Sequence, residues 1–536
     1  MTRVNGQNLF DVSTNMKRSK LKKKALRYLS LALCFFLYTH LSFSQENIAT
    51  LKGTALKNTV RLHFIPVQMP THFDPSLKPT MGLMGLHYQT PINNWLYGGV
   101  GMYAAVTGDQ GGLFTLGVEL GVTPQLVGNL YLDASFHFGG GGGYRNLIND
   151  GAFINPNIGL KYKQKKFNFG VQYSHLNFYT GAVKSNSISF FIEIPSLLKF
   201  TNYSNAQKNF VASNLSKDHI WKTPVTKNVQ QVRFDFFKPI GNSRKDNANR
   251  QEPLTETLDV LGFEYQKYIS NTTFVFAHTD AVYKGLRAGF MDLFFGVGYH
   301  PYQSKNINLF TKFAIGGAGG RVAPEGGLMI YPSAGIDVKI ATKIALSSHV
   351  GYYGAVAGDL EAYTFGFGVK YLGFNGGTKN YSSFKTQGIR IGIQNQTYLN
   401  VLKTDDLPVD LQLLGLQVNY DLNATFYLVG EVGFAYDGKS GGYAHGMAGI
   451  GMYSPYFIKN KLRAHVETLA GAAGGAGIDT GEGIVFRPSI GLSYTLTNSV
   501  SLQSSIGKFI TPFGKLKSTN INIGLSFGLA TLSAKK

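Results

Sequence analysis

From about residue 59 onward, apolar and polar positions alternate along short runs with a period of two. In the run 129–138, Leu132, Ala134, Phe136 and Phe138 fall on one face, and Tyr131, Asp133, Ser135 and His137 on the other. Near the C-terminus, Ile521, Ile523, Leu525, Phe527 and Leu529 oppose Asn522, Gly524, Ser526 and Gly528. Successive side chains of a strand point to opposite sides, so this pattern marks strands with one apolar and one polar face. It predicts eight strands in the first third, near 59–67, 81–89, 95–106, 113–123, 129–138, 156–163, 167–175 and 186–194. Runs of about 9 to 11 residues are what a tilted bilayer crossing needs.

The same unit then recurs. Gly139-Gly140-Gly141-Gly142-Gly143, Gly316-Gly317-Ala318-Gly319-Gly320 and Gly471-Ala472-Ala473-Gly474-Gly475 are each followed by a proline that opens a similar strand, at Pro156, Pro332 and Pro488. Upstream, each copy has a glycine-containing strand ending at Pro124, Pro301 or Pro455. Each copy also opens alike, with Val60-Arg61-Leu62, Val232-Arg233-Phe234 and Ile389-Arg390-Ile391. Matches in one order at similar spacing define an internal repeat. The organisation read from it is 45–197 for repeat 1, a linker at 198–230, 231–374 for repeat 2, a linker at 375–387, and 388–536 for repeat 3.

Connections between strands are expected to alternate in length. Short turns fall at Thr90–Asn94, Ile269–Asn271 and Leu422–Ala424, and longer connections at Gln68–Thr80, Lys238–Leu258 and Gln396–Leu411. Membrane barrels have short periplasmic turns and longer external loops. By that count the three Gly-rich segments are external loops.

Composition supports β structure in a membrane. Charged residues are 15% and aromatics 13%, with 65 glycines, against about 25% charged in an average soluble protein. The mean hydropathy of -0.04 is too low for a helical membrane protein, yet suits a barrel in which alternate residues face lipid. A soluble sandwich would have to wet an apolar face running over some 24 strands. The expected class is therefore all-β: a transmembrane antiparallel β-barrel of about 24 strands built from three eight-strand repeats.

Residues 1–44 read as a cleavable signal peptide. Lys17, Arg18, Lys20, Lys22, Lys23, Lys24 and Arg27 precede the apolar run Leu29–Leu41, and Ser42-Phe43-Ser44 is a small-x-small site, with Met16 a candidate true start. The single cysteine, Cys34, lies in that run. The mature chain then has no disulfide and no thiolate metal site. Removing residues 1–44 lowers the net charge from +21 to +14. No basic block interleaved with stacking aromatics points to nucleic acid.

The chain resembles outer-membrane barrel proteins of the Bacteroidota type, on Ser42-Phe43-Ser44-Gln45-Glu46 at the cleavage region and on the strand architecture of 59–530. Each repeat is similar to a small eight-strand barrel of the OmpA and OmpX kind. The resemblance implies the outer membrane of a Gram-negative bacterium, with outer-membrane lipid and the barrel-assembly machinery as partners. It carries no motif for a particular substrate.

Two closures are open: one wide barrel, or three narrow ones in tandem. About 16 to 18 strands already leave an aqueous channel, whereas eight leave an interior filled by side chains. The short second linker favours one barrel and the long first linker favours separate ones; the single wide barrel is preferred, since neighbouring strands are usually joined by short connections.

Candidate chemistry is sparse. No His-Glu-x-x-His pattern appears, and no enzyme, cofactor or metal is expected. His63, His87, His278, His349 and His465 read as inward polar residues. Arg61, Arg233 and Arg390 recur at one position and are expected to face the lumen with Glu119 and Asp133. There they could set an anion preference or pair with inward carboxylates. The Gly-rich segments (Gly139, Gly140, Gly141, Gly142, Gly143; Gly316, Gly317, Gly319, Gly320; Gly471, Gly474, Gly475) are the candidate loops for ligand or partner approach, or turns at the rim. The expected function is a channel or transport pore for solutes or polypeptide. The alternative is a structural barrel presenting external loops for adhesion or assembly with protein partners.

Overall fold

The computed structural model describes residues 51–535 except 144, 216–218, 248–249, 287–288, 321, 323–325 and 404–407. From residue 50 onward the chain is one compact unit. The export segment expected at 1–44 lies outside the described residues.

Repeat 1 supplies β1 (Thr54–Gln68), β2 (Thr80–Pro91), β3 (Leu96–Thr107), β4 (Phe114–Val122), the short β5 (Gln125–Val127), β6 (Leu130–Gly142), β7 (Phe153–Lys163), β8 (Asn168–Phe178) and β9 (Lys184–Asn202). Apart from β5, which only widens the turn before β6, each strand pairs antiparallel with the next. β1 then pairs with β9, setting Arg61 opposite Glu193 and Leu62 opposite Ile192. Eight strands are thereby closed into a barrel.

After β10 (Asn209–Val211), repeat 2 supplies β11 (Thr226–Ile240), a hairpin of β12 (Arg244–Asn247) and β13 (Arg250–Pro253), then β14 (Leu258–Tyr268), β15 (Thr273–Lys284), β16 (Met291–Gln303), β17 (Ile307–Gly319), β18 (Leu328–Ala341), β19 (Ile344–Ala355) and β20 (Glu361–Asn375). β11 pairs with β20, Val232 opposite Val369. Repeat 3 supplies β21 (Ser383–Leu402), β22 (Pro408–Asp421), β23 (Phe426–Asp437), β24 (Ala444–Tyr453), β25 (Leu462–Gly474), β26 (Ile484–Thr495), β27 (Val500–Ile510) and β28 (Lys517–Ala534). β21 pairs with β28, Ile391 opposite Phe527.

The preference for one wide barrel is therefore corrected: the first strand of each repeat finds the last strand of its own repeat. A short second linker fits this closure as well, because it joins neighbouring barrels at one end. There the barrels touch edge to edge through Asn375 opposite Ser533. The connection placed at Gln396–Leu411 is also corrected. β21 runs on to Leu402 through an irregularity at Tyr398–Val401 and keeps pairing with β22.

The alternation of the sequence is realised as polar inside and apolar outside. On β6, Asp133, Ser135 and His137 are buried in the lumen, while Phe136 is 47% exposed on the outer wall. Ile192, Phe367 and Leu525 are exposed in the same outward sense on the three barrels. Contiguous apolar surface of this extent around three closed walls is a lipid-facing surface. Closure leaves no wall strand with an open edge, which lipid demands. Among the described residues no helix is long and apolar enough to cross a membrane.

The segment expected as a polar linker at 198–230 is largely folded. β9 runs past its barrel to lay Thr201 and Asn202 against Ala530 and Leu529 of β28, and β10 pairs with β21. Trp221 is fully buried, and its Nε1 donates to the Leu51 carbonyl at 3.3 Å. These contacts tie the barrels together at the end that carries the short turns 92–95, 269–272 and 422–425.

Candidate functional site: filled lumens and a glycine-lined contact ring

Because β1 sets Arg61 inward beside the closing strand, its guanidinium lies at the centre of the first lumen. Nε donates to Glu193 Oε1 at 3.0 Å and Nη2 to the same oxygen at 2.6 Å. Nη2 also donates to Asp133 Oδ2 at 2.9 Å, and Phe191 lies 4.0 Å under the guanidinium. Lys161 closes the network, 2.6 Å from Asp133 and 3.4 Å from Glu193. Glu119 stands 3.8 Å from Arg61 and is bound by His87 Nδ1 at 3.2 Å and Gln89 at 3.0 Å. Every one of these groups is buried.

The other two lumens are filled in the same style with different pairings. In the second, Arg233 pairs with Asp235 and, at 3.0 Å, with Glu264. Lys312 holds Glu264 at 2.7 Å and Lys370 holds Asp337 at 2.8 Å. In the third, Arg487 grips both oxygens of Glu431 at 2.6 and 2.7 Å, and His445 adds a contact at 3.1 Å. Arg390 donates to Asp421 at 2.6 Å and stacks on Tyr427 and Tyr453. Arg61, Arg233 and Arg390, singled out from the sequence, thus each engage carboxylates rather than line open space, as do Glu119 and Asp133 with cations.

Above these polar layers, toward the end opposite the short turns, each lumen is stopped by apolar side chains. Ile65, Val67, Leu83 and Leu113 do this in the first barrel, Val260, Val282, Phe290 and Tyr353 in the second. Val401, Leu413, Tyr443 and Phe509 do so in the third. Lower in the third lumen, Gln394, Gln417, His465, Glu467, Gln503 and Asn522 line a cavity of about 10 Å³, room for about one water. The sequence showed the polar face of each strand but not this stacking of an ionic layer under an apolar stopper, which depends on which strand ends meet.

The Gly-rich segments are not external loops. Gly139, Gly140, Gly141 and Gly142 lie within β6, Gly316, Gly317 and Gly319 within β17, and Gly471 and Gly474 within β25; Gly143, Gly320 and Gly475 follow directly. Their role lies between barrels. β6 of the first barrel packs on β23 of the third, β17 of the second on β3 of the first, and β25 of the third on β15 of the second. The fifth wall strand of each barrel therefore meets the third wall strand of another, and the three contacts close a ring. A Cβ on Gly317 would stand 2.8 Å from the Ala104 Cβ. Glycine inside a strand often marks such close backbone approach; that was the available signal. At the junction Ala104, Phe114, Leu116 and Phe434 are buried, with Met291 and Leu293 of the second barrel against them.

No family model matches this sequence, and no curated protein does. Solved structures do align. The siderophore receptor PirA from Pseudomonas aeruginosa is 9% identical with a TM-score of 0.25, over 90% of this chain and 81% of that one. The ferric enterobactin receptor PfeA in complex with BCV-L6 is 8% identical with a TM-score of 0.27, over 90% and 82%. The FrpB iron transporter from Neisseria meningitidis is 8% identical with a TM-score of 0.26, over 88% and 81%. Scores this far below one half carry no argument about activity.

Proposed function

We propose that this chain is an outer-membrane scaffold: three stoppered barrels joined in a ring that anchors external connections for protein partners. The carrying observation is the state of the lumens. Each holds buried ion pairs beneath an apolar stopper, an arrangement that supplies rigidity and offers ions and solutes no continuous wet path. The apolar outer walls support residence in lipid, and the alternation of connections supports short turns at the periplasmic face. The external face then carries the connection 69–79 and the hairpin of β12 and β13. In the former, Asp74 accepts hydrogen bonds from the Ser76 amide and hydroxyl, which hold its carboxyl below the ordinary carboxylate range.

Planar-bilayer recording of the purified full chain tests this reading. Current at the level of the protein-free bilayer is expected, together with proteins that co-purify only while the 69–79 and 241–257 connections are intact. Stable ion conductance in the unmodified chain would overturn it.

One observation favours the transport reading instead. The lower third lumen is lined mostly by amides and serines, with His465 and Glu467 among them, around its small cavity. A conducting route would run through this barrel. If conductance is found, Gln417→Trp should diminish it, while Arg61→Met in the first barrel should not.

A further inference from the structure

The second lumen contains an electrostatic anomaly that the scaffold does not use. Asp280 on β15 and Asp292 on β16 are direct cross-strand partners, and both are fully buried. Like charges directly opposite each other are unfavourable even on an open sheet. Here no hydrogen bond reaches either oxygen of the Asp280 carboxylate. Arg233 Nη2 stands 3.9 Å from its Oδ2 and is already committed to Asp235. His278 Nε2, also without a hydrogen bond, stands 3.7 Å from the same oxygen.

Charge counting isolates the same place. Among the described residues, the first lumen buries Glu119, Asp133 and Glu193 with Arg61 and Lys161, and His87 against Glu119. The third buries three carboxylates, Asp421, Glu431 and Glu467, with Arg390, Arg463 and Arg487. The second buries five carboxylates (Asp235, Glu264, Asp280, Asp292 and Asp337) against the three cations Arg233, Lys312 and Lys370. A buried, uncompensated carboxylate is costly, and this lumen has two in excess before its histidines are counted.

We infer that His278, Asp280 and Asp292 form a binding site for one divalent first-row metal ion inside the second barrel. One ligand atom from each of the three lies within 4.8 Å of the others, a span that a single ion can bridge. One imidazole nitrogen and two carboxylates suit zinc or manganese. The surroundings orient the ligands: Tyr353 donates to Asp292 Oδ2 at 3.0 Å and the Asp280 amide to Asp292 Oδ1 at 2.8 Å. Such outer contacts are what fix metal-binding carboxylates. A metal on His278 Nε2 puts the ring proton on Nδ1. Binding then requires Arg233 Nη1, a donor now 3.0 Å from Nδ1, to turn to its carboxylates, and the ring to close on Glu264 Oε2, which at 3.8 Å stands beyond hydrogen-bond range. With Phe290, Val282 and Tyr353 stoppering the lumen, the ion enters as the barrel folds and stays as a structural element.

The test folds the full chain with zinc or manganese, removes loose ions with EDTA, and measures metal content by mass spectrometry. About one retained ion per chain is expected, with a zinc absorption spectrum showing nitrogen and oxygen donors at about 2.0–2.2 Å and no sulfur. The ion should be lost in His278→Gln and in Asp280→Asn/Asp292→Asn. A folded, unmodified chain holding neither metal would overturn the proposal and leave protons as the neutralising charge. Equal metal in a folded variant would overturn it too, by showing that the ion sits elsewhere. Should the double variant not fold, His278→Gln and the unmodified chain decide between these outcomes.

Discussion

Gly140 of the first barrel lies directly on the backbone of Ala435 of the third: a Cβ on Gly140 would stand 2.6 Å from the Ala435 carbonyl oxygen. A carbonyl in a paired strand cannot move aside as a flexible side-chain tip can. Gly140→Leu is therefore expected to pry these barrels apart at the end opposite the short turns. The lost contact and overpacking should cost about 1–3 kcal/mol, read as a lower urea midpoint for the folded chain in detergent. The same change at Gly430, where a Cβ meets nothing within 4 Å, should leave the midpoint close to that of the unmodified chain.

The ion network of the first lumen gives a larger effect. Arg61→Met removes the cation shared by Glu193 and Asp133 and leaves Lys161 to balance both carboxylates. Breaking a buried pair from one side typically costs about 3–5 kcal/mol. Equilibrium unfolding should show that loss for Arg61→Met, and a much smaller one for Leu62→Ala on the lipid-facing side of the same strand. Similar losses for the two variants would mean that the network contributes no more than the wall.

Trp221 reports on the tie between barrels at the short-turn end. Its ring is buried against Gly53 in a segment without a barrel of its own. Trp221→Ala should free the 203–225 segment, so that limited proteolysis cuts there first while the barrels stay resistant. Cleavage at unchanged rate would show that β9, β10 and β28 hold the base without it.

The wall strands were legible because lipid and lumen impose strict alternation. The predicted 113–123 and 167–175 correspond closely to β4 and β8. Closure was not legible from the same signal: alternation says which way Leu62 faces but not whether Ile192 or Leu525 lies beside it. The recurrence of Arg61, Arg233 and Arg390 was visible, yet their partners differ from barrel to barrel, since carboxylates such as Glu193 and Asp421 come from other strands. Gly140 and Gly317 read as loop residues in the sequence, because glycine suits a turn as well as a close wall. Only the facing strand separates those two roles.

The most direct test of three separately closed barrels uses paired cysteines, with the native Cys34 confined to the expected export segment. Leu62→Cys with Ile192→Cys should crosslink, because these positions are register partners on β1 and β9 and disulfides need Cα atoms within about 7 Å. Leu62→Cys with Leu525→Cys should not, because Leu525 lies opposite Ile393 of β21. Efficient crosslinking of the second pair, with none in the first, would mean a single wide wall. That result would contradict both the closure and the filled-lumen scaffold that rests on it.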